Sequence, residues 1–360
     1  MRIAFYLNLQ GAGHCRRFEA IAPHFPQDCD LAVVGMDGPP NIADIGRPVK
    51  KVSVPGFAPP SPLSFVQQQT THNYHDFVVN HGDNAAFALE MVTFLSEWKP
   101  DLLVVDVGLE ASILARMCGI ATMYSRQHGR RWDKGHLLAY EWACGLYAPF
   151  SAEMEQTDCP DWIREKTFYS SGFSRFAGRK KAAGVPSAYG EQPNVLVMTG
   201  FGGTKITPEH VVAAAAANPQ WRWHVLGQQT AHTTTDNLVF HGVIEDVWPY
   251  LCHANLVIAN AGHNSVMEIG AAQAPAIFIP ASRPFDEQLC KVEVLDKLGL
   301  GVILSQWPKD SAWPSLWNSA QQLTLSNWDA LQDARSPQKT AEHIAAIAQK
   351  CMRPASTSTN

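Results

Sequence analysis

The stretch Ala259-Asn260-Ala261-Gly262-His263-Asn264-Ser265-Val266-Met267-Glu268 decides the fold. It follows Leu256 to Ala259, an apolar run without alternation that suits a short strand buried on both faces. Gly262 permits close backbone approach, and Asn264 or Ser265 can cap the helix that follows. Free amides at such a helix start attract phosphate. Glu268, one turn further on, is placed to accept hydrogen bonds from both hydroxyls of a ribose. The same spacing fits an ordinary capped helix with a surface glutamate, and the local pattern leaves both open.

Outward from this corner, strands and helices alternate. Before it lie Val195 to Thr199, a helix from Pro208, Trp221 to Leu226, Leu238 to Phe240 and a helix from Asp246. After it come a helix from Asn264, a strand Ala276 to Ile279 and a helix from Asp286. The first half repeats the pattern. Arg2 to Leu7 runs into Gly11-Ala12-Gly13-His14, and Phe18, Ile21, Ala22 and Phe25 follow at helical spacing. Leu31 to Gly35 reads as a strand, and Phe87, Met91, Phe94, Leu95 and Trp98 as a helix stopped by Pro100. Then come a strand Asp101 to Asp106, a helix Ala111 to Met117 and a strand Ile120 to Tyr124.

Gly, Ser, Lys, Arg and Pro dissolve the pattern in between. The predicted division is a first domain over 1–170, a linker over 171–193 and a second domain over 194–337. A closing helix over 338–352 is predicted to return to the first domain, with a disordered tail over 353–360. The fold class is α/β, two doubly wound Rossmann-like domains facing across a cleft, with ligands at the carboxyl ends of the strands.

The 360 residues suffice for two such domains, and 46% hydrophobic with 17% charged residues is a globular composition. A net charge of −5 argues against a polyanion-binding surface, so no nucleic-acid partner is expected. The basic spots Arg126 to Lys134 and Arg175 to Lys181 are read as solvated loops. The eight cysteines form no C-x-x-C pair, which points to reduced thiols and a cytoplasmic protein. No apolar run approaches the roughly 20 residues of a spanning helix, leaving peripheral contact with the inner membrane face as the alternative.

Three more corners carry chemistry. Gly200-Phe201-Gly202-Gly203-Thr204-Lys205 offers amides, a hydroxyl and an ammonium to a diphosphate, or is a plain glycine turn. Gly11-Ala12-Gly13-His14 begins like a dinucleotide fingerprint but has Arg16 where the third glycine belongs, which weakens a nicotinamide reading. Its His and Arg suit direct contact with a substrate. Asp286-Glu287-Gln288 can pair with sugar hydroxyls, or are acids favoured by a helix start. Ser125 to Trp132 holds His128, a second candidate acid or base, and is otherwise a solvated loop. The Pro-rich stretch Pro55 to Pro62, with Phe57 and Phe65, reads as a packed surface loop.

The stretch from His241 to Leu304 resembles the donor half of GT-B glycosyltransferases, and within them the bacterial family-28 group. The resemblance covers about 195–304 well and is thinner in the first half, where Lys99 to Tyr124 carries it. It implies that Gly262, His263, Asn264 and Ser265 hold a diphosphate, Glu268 the ribose and Ile244 a uracil or thymine base. Glu287 and Gln288, with Asp286 beside them, would read the donor sugar. Gly13 and the loop Gly202, Gly203 and Thr204 would face the phosphates. His14 would be the base and Asp106 its orienting carboxylate. Asn260 stands where relatives often have His or Arg, and Lys291 where many have Asn.

The implied function is an inverting, metal-independent hexosyl transfer from a UDP- or dTDP-sugar to an acceptor hydroxyl in cell-envelope or glycan biosynthesis, with no cofactor. The acceptor is lipid-linked, a polysaccharide or a small molecule. The alternatives are an epimerase or hydrolase of the same fold, or a sugar-nucleotide-binding protein without catalysis.

Overall fold

The computed structural model describes residues 1–7, 13–56, 82–200, 203–231 and 235–352. Strands β1 (Arg2–Leu7), β2 (Asp30–Met36), β3 (Val49–Val54), β4 (Leu102–Asp106), β5 (Thr122–Ser125), β6 (Gly145–Ala148) and β7 (Thr167–Tyr169) form one parallel sheet. Its order is β3-β2-β1-β4-β5-β6-β7. Helices α1 (Gly13–Ile21), α2 (Gly82–Trp98), α3 (Leu109–Met117), α4 (Lys134–Trp142) and α5 (Asp161–Lys166) interleave with these strands.

A second parallel sheet holds β8 (Asn194–Met198), β9 (Arg222–Leu226), β10 (Leu238–Gly242), β11 (Leu256–Ala259), β12 (Ala276–Phe278) and β13 (Val302–Ile303). Its order is β10-β9-β8-β11-β12-β13. Around it lie α6 (Pro208–Ala217), α7 (Trp248–His253), α8 (His263–Ala272), α9 (Glu287–Lys297) and α10 (Trp313–Gln321). The final helix, α11 (Ser336–Cys351), returns to the first sheet, where Ala341, Ile344 and Ala348 are buried with Ile3, Phe18 and Ile21.

Every residue of β4, β8 and β11 is buried, as strands covered by helices on both faces require. Strand β3 escapes the sequence pattern because it is an edge strand, VKKVSV, buried only at Val54. Strands β6, β7 and β13 are too short to show a period. Three helix starts shift from expectation: α7 begins at Trp248, α8 at His263 and α9 at Glu287.

Strand order reverses between β1 and β4 in one sheet, and between β8 and β11 in the other. Chain connections leave in opposite directions at such points, opening a crevice beyond the strand ends. In register, Leu7 lies level with Asp106 and Met198 level with Ala259. The corners that follow β1, β8 and β11 therefore sit at the two switch points, while the Asp286 corner follows β12, the next strand along. Between the sheets the chain crosses twice, and the crossings touch: Gly172 N donates to Leu331 O at 2.7 Å and Asp333 N to Gly172 O at 3.3 Å.

Candidate functional site

On the first-domain side, α1 opens with Gly13 and His14 directly after β1 and its loop. His14 Nδ1 lies 3.1 Å from Asp106 Oδ2, at the end of β4. Arg17, one turn along α1, donates from Nη1 to Asp106 Oδ1 at 2.6 Å and to Ser125 Oγ at 3.4 Å. Asp106 is only 1% exposed. Burial alone would neutralise it, but the Arg17 and His14 charges outweigh that and hold the carboxyl below its ordinary range. An ionised Asp106 facing Nδ1 makes Nε2 the ring nitrogen that can take a proton. Val107, the next residue, is β-branched yet sits at φ 63°, a strained corner that turns the chain sharply after Asp106.

On the second-domain side, α8 starts without a side-chain cap. Gly262 is its N-cap residue and no side chain bonds the first amides. Capping by Asn264 or Ser265 is thus not what happens. Asn264 instead donates from Nδ2 to Gly13 O at 3.2 Å, tying the two corners across the cleft. Ser265 lies partly exposed in the first turn. The cleft between them is lined by Arg16, Arg17, Arg175, His263, Asn264 and Glu268, with Phe173 and Ser174. Each of its three guanidinium groups pairs with a carboxylate, Arg16 with Glu19 at 2.8 Å, Arg17 with Asp106 and Arg175 with Glu268, and the start of α8 faces them.

Glu268 faces this cleft and pairs with Arg175, whose Nε donates to Oε1 at 2.9 Å. Burial pushes the Glu268 carboxyl up, against the pull of Arg175. Arg175 also donates to Glu245 O at 2.7 Å, beside the half-buried Ile244. Arg179 makes a paired contact with Asp246 at 2.9 and 2.7 Å. Arg175 is therefore held against the second domain rather than solvated, whereas Gly178 to Lys181 are exposed, as the composition suggested.

The loop Arg126 to Lys134 is corrected likewise. Arg126 is buried and paired with Glu155 at 2.6 Å, with Tyr169 donating to the same carboxylate at 2.6 Å. His128 is 1% exposed, its Nε2 is 2.7 Å from Met154 O, and its ring lies against Phe150. Burial, with Lys291 close by, holds it well below the ordinary histidine range. It is buried among core contacts rather than presented at the cleft lining. The residues after it bridge the domains: Arg130 N donates to Phe285 O at 2.7 Å, and Arg130 and Arg131 pair with Asp286 at 2.9 Å and Glu287 at 3.4 Å. Gly129 is required there, since at φ 121° its Cβ would stand 2.9 Å from Phe285 O.

Gln288 is buried, and its Oε1 accepts from Ala261 N at 3.2 Å and Ala281 N at 2.8 Å. That oxygen is committed to holding two strand-end loops together, leaving only Nε2 for a sugar. Gly203 O accepts from Arg283 Nη2 at 2.9 Å, and Thr204 Oγ1 from Ile206 N at 3.0 Å. Gly202 lies outside the described residues, as do Phe57, Phe65 and the tail over 353–360. Asn260 is buried and donates to Ile279 O at 2.7 Å, turned away from the cleft rim. Among the described residues, no group of three or more His, Cys, Asp or Glu is placed to hold a metal ion, and no helix is long and apolar enough to cross a membrane.

With this geometry in hand, residues 219–351 match the glycosyltransferase family 28 C-terminal domain. Over its whole length the chain is similar to two solved structures. One is the glycotransferase of kitacinnamycin, with TM-score 0.69 and 13% identity over 96% of this chain and 99% of that one. The other is MurG of Acinetobacter baumannii, with TM-score 0.59 and 15% identity over 97% of this chain and 99% of that one. The fold is GT-B, with a second domain of the family-28 type. A relative from Ectopseudomonas mendocina is named UDP-N-acetylglucosamine–N-acetylmuramyl-(pentapeptide) pyrophosphoryl-undecaprenol N-acetylglucosamine transferase. It is 31% identical over 215 residues, 56% of this chain and 57% of that protein, so the match spans little more than half of its length.

Arg17 and Arg175, which line the cleft, and Lys291, buried behind His263, were underrated in the sequence. Arg17 stands four positions after Gly13, one helical turn, and that spacing would have found it. Arg175 and Lys291 carry no local signal, because their partners Glu268 and His263 are brought to them by the fold.

Proposed function

We propose that this GT-B protein transfers a sugar from a UDP- or dTDP-sugar to an acceptor hydroxyl with inversion, and that His14 is the base. One observation carries the proposal. The start of α8 and Glu268 line one crevice with Arg16 and Arg17 of α1, and the Asn264–Gly13 hydrogen bond ties α8 to the residue next to His14, which faces Asp106. The acceptor oxygen attacks the anomeric carbon as the bond from that carbon to the diphosphate oxygen breaks. His14 takes the hydroxyl proton, and Asp106 stabilises the imidazolium formed. The departing diphosphate is stabilised by the first amides of α8 and the guanidinium groups of Arg16, Arg17 and Arg175. These charges supply what a divalent metal supplies elsewhere, so the reaction needs none.

Glu268 takes the ribose hydroxyls once Arg175 swings aside, Ile244 meets the base, and Glu287 with the Nε2 of Gln288 reads the sugar. The relative from Ectopseudomonas mendocina is named for a lipid-linked pyrophosphoryl acceptor, which makes that class the first to assay. Work on such an acceptor would place the protein at the inner membrane face. The deciding experiment is a thermal-shift screen with UDP-, dTDP- and GDP-sugars, because a bound donor raises the melting temperature by mass action. A rise with a UDP- or dTDP-sugar supports the reading, and no rise with any of the three sinks it.

A further inference from the structure

We infer that Lys291 is a positioning residue for the leaving diphosphate: it fixes His263 in the tautomer that donates a hydrogen bond into the cleft. The inference rests on the reading that the cleft takes a nucleoside diphosphate. Lys291 lies on α9, is 1% exposed, and places its Nζ 3.1 Å from His263 Nδ1. His263 is the first residue of α8 and lines the cleft beside Arg17 and Asn264.

The chemistry follows from what each group can do. Burial and the surrounding cations hold His263 well below the ordinary histidine range, so the ring is neutral and carries one N–H. Below about pH 7 Lys291 carries an ammonium, which has donors only, so in this contact Nδ1 accepts. The ring hydrogen then sits on Nε2. An Nε2–H in a residue lining this cleft is a donor suited to a phosphate oxygen. The opposite tautomer would turn a lone pair toward the same oxygen.

The position of Lys291 is otherwise hard to explain. No carboxylate bonds its Nζ among the described residues, and the Phe150 ring lies 5.6 Å away. A buried cation without an anionic partner is costly, and replacing it by an apolar side chain would relieve that cost. A diphosphate held through His263 supplies the missing negative charge when the site is filled.

The test uses full-length protein with 15N-labelled histidine at about pH 6, where Lys291 holds its proton, and the His263 signals are assigned by their loss in His263→Gln. Wild type should give the Nε2–H pattern for His263. Lys291→Met should lose that pattern and bind inorganic pyrophosphate about tenfold more weakly. Lys291→Gln keeps a donor without the charge and should restore the pattern and most of the affinity. A Lys291→Met protein that keeps the Nε2–H pattern, or binds pyrophosphate as wild type does, overturns the inference. Wild type that binds neither pyrophosphate nor UDP overturns the donor reading and with it this role of Lys291, whatever the NMR pattern. Binding of both by wild type, with no change in Lys291→Met, overturns the Lys291 role alone.

Discussion

His14 and Asp106 come from different strand ends of the first sheet and meet at 3.1 Å, while the other oxygen of Asp106 is held by Arg17 at 2.6 Å. A carboxylate so pinned cannot rotate away, so His14 is held in one orientation. His14→Ala is therefore expected to lower kcat about 100-fold or more while leaving the dissociation constant for UDP near its wild-type value. Steady-state rates and calorimetric titration of the same protein check both halves. Near-normal turnover would remove His14 from the role.

Glu268 separates ribose recognition from phosphate recognition. Glu268→Ala is expected to weaken UDP binding about tenfold or more, the worth of hydrogen bonds to a charged group. Inorganic pyrophosphate should bind at least as well as to wild type, since Arg175 loses its competing partner. Equal weakening of both ligands would place Glu268 outside the ribose site.

The Arg126–Glu155 pair is fully buried; Arg126 also donates to Thr167 Oγ1, and Tyr169 donates to Glu155. Removing one partner strands the other charge, so Glu155→Ala should destabilise the protein by about 3 to 5 kcal/mol. Arg126→Met combined with Glu155→Leu should recover much of that loss. Urea unfolding of the single and double variants measures it, and a single variant as stable as wild type would refute the expectation.

Lys291 gives a pH dependence of the same sign as a carboxylate whose pKa folding lowers, but in the neutral to alkaline range. Burial pushes its ammonium down to about 7 from an ordinary 10.5, with Glu287 and Glu155 opposing and Arg17 reinforcing the shift. His263 and His128, which also pack around it, are neutral in this range. Between about 7 and 10.5 the unfolded chain holds a proton that the folded protein does not, so folding stability rises with pH across that window. Lys291→Met should melt above wild type at pH 6.5, and the gap should shrink towards pH 10. A gap independent of pH would contradict the buried, unpaired cation.

The parts of this molecule legible in its sequence are those where one chain segment determines its own surroundings. Leu256 to Ala259 had to be a covered strand because no polar residue breaks it, and Gly262 had to begin a turn. Val49–Val54 was missed because an edge strand tolerates Lys50 and Lys51 on open positions, which erases the pattern. The loop from Arg126 looked solvated for an equivalent reason. Its charges signal exposure until Glu155, 29 residues away, is folded against them. His128 had the composition of a catalytic residue, and only the Met154 carbonyl and the Phe150 ring show it to be part of the core. Asp106 was placed by its strand and His14 by its loop; the helical spacing of Arg17 after Gly13 was there to read, but its bond to Asp106 across 89 residues was visible only in three dimensions.

The paired crossings at Gly172 and Leu331–Asp333 have a mechanical consequence. Two segments fastened side by side act as a door hinge with two pins. One lobe can swing towards the other about the line joining them, whereas twisting would have to tear those bonds. Because α11 is anchored on the first lobe, severing the chain between the sheets in the leading segment would leave the halves still tethered by the returning one.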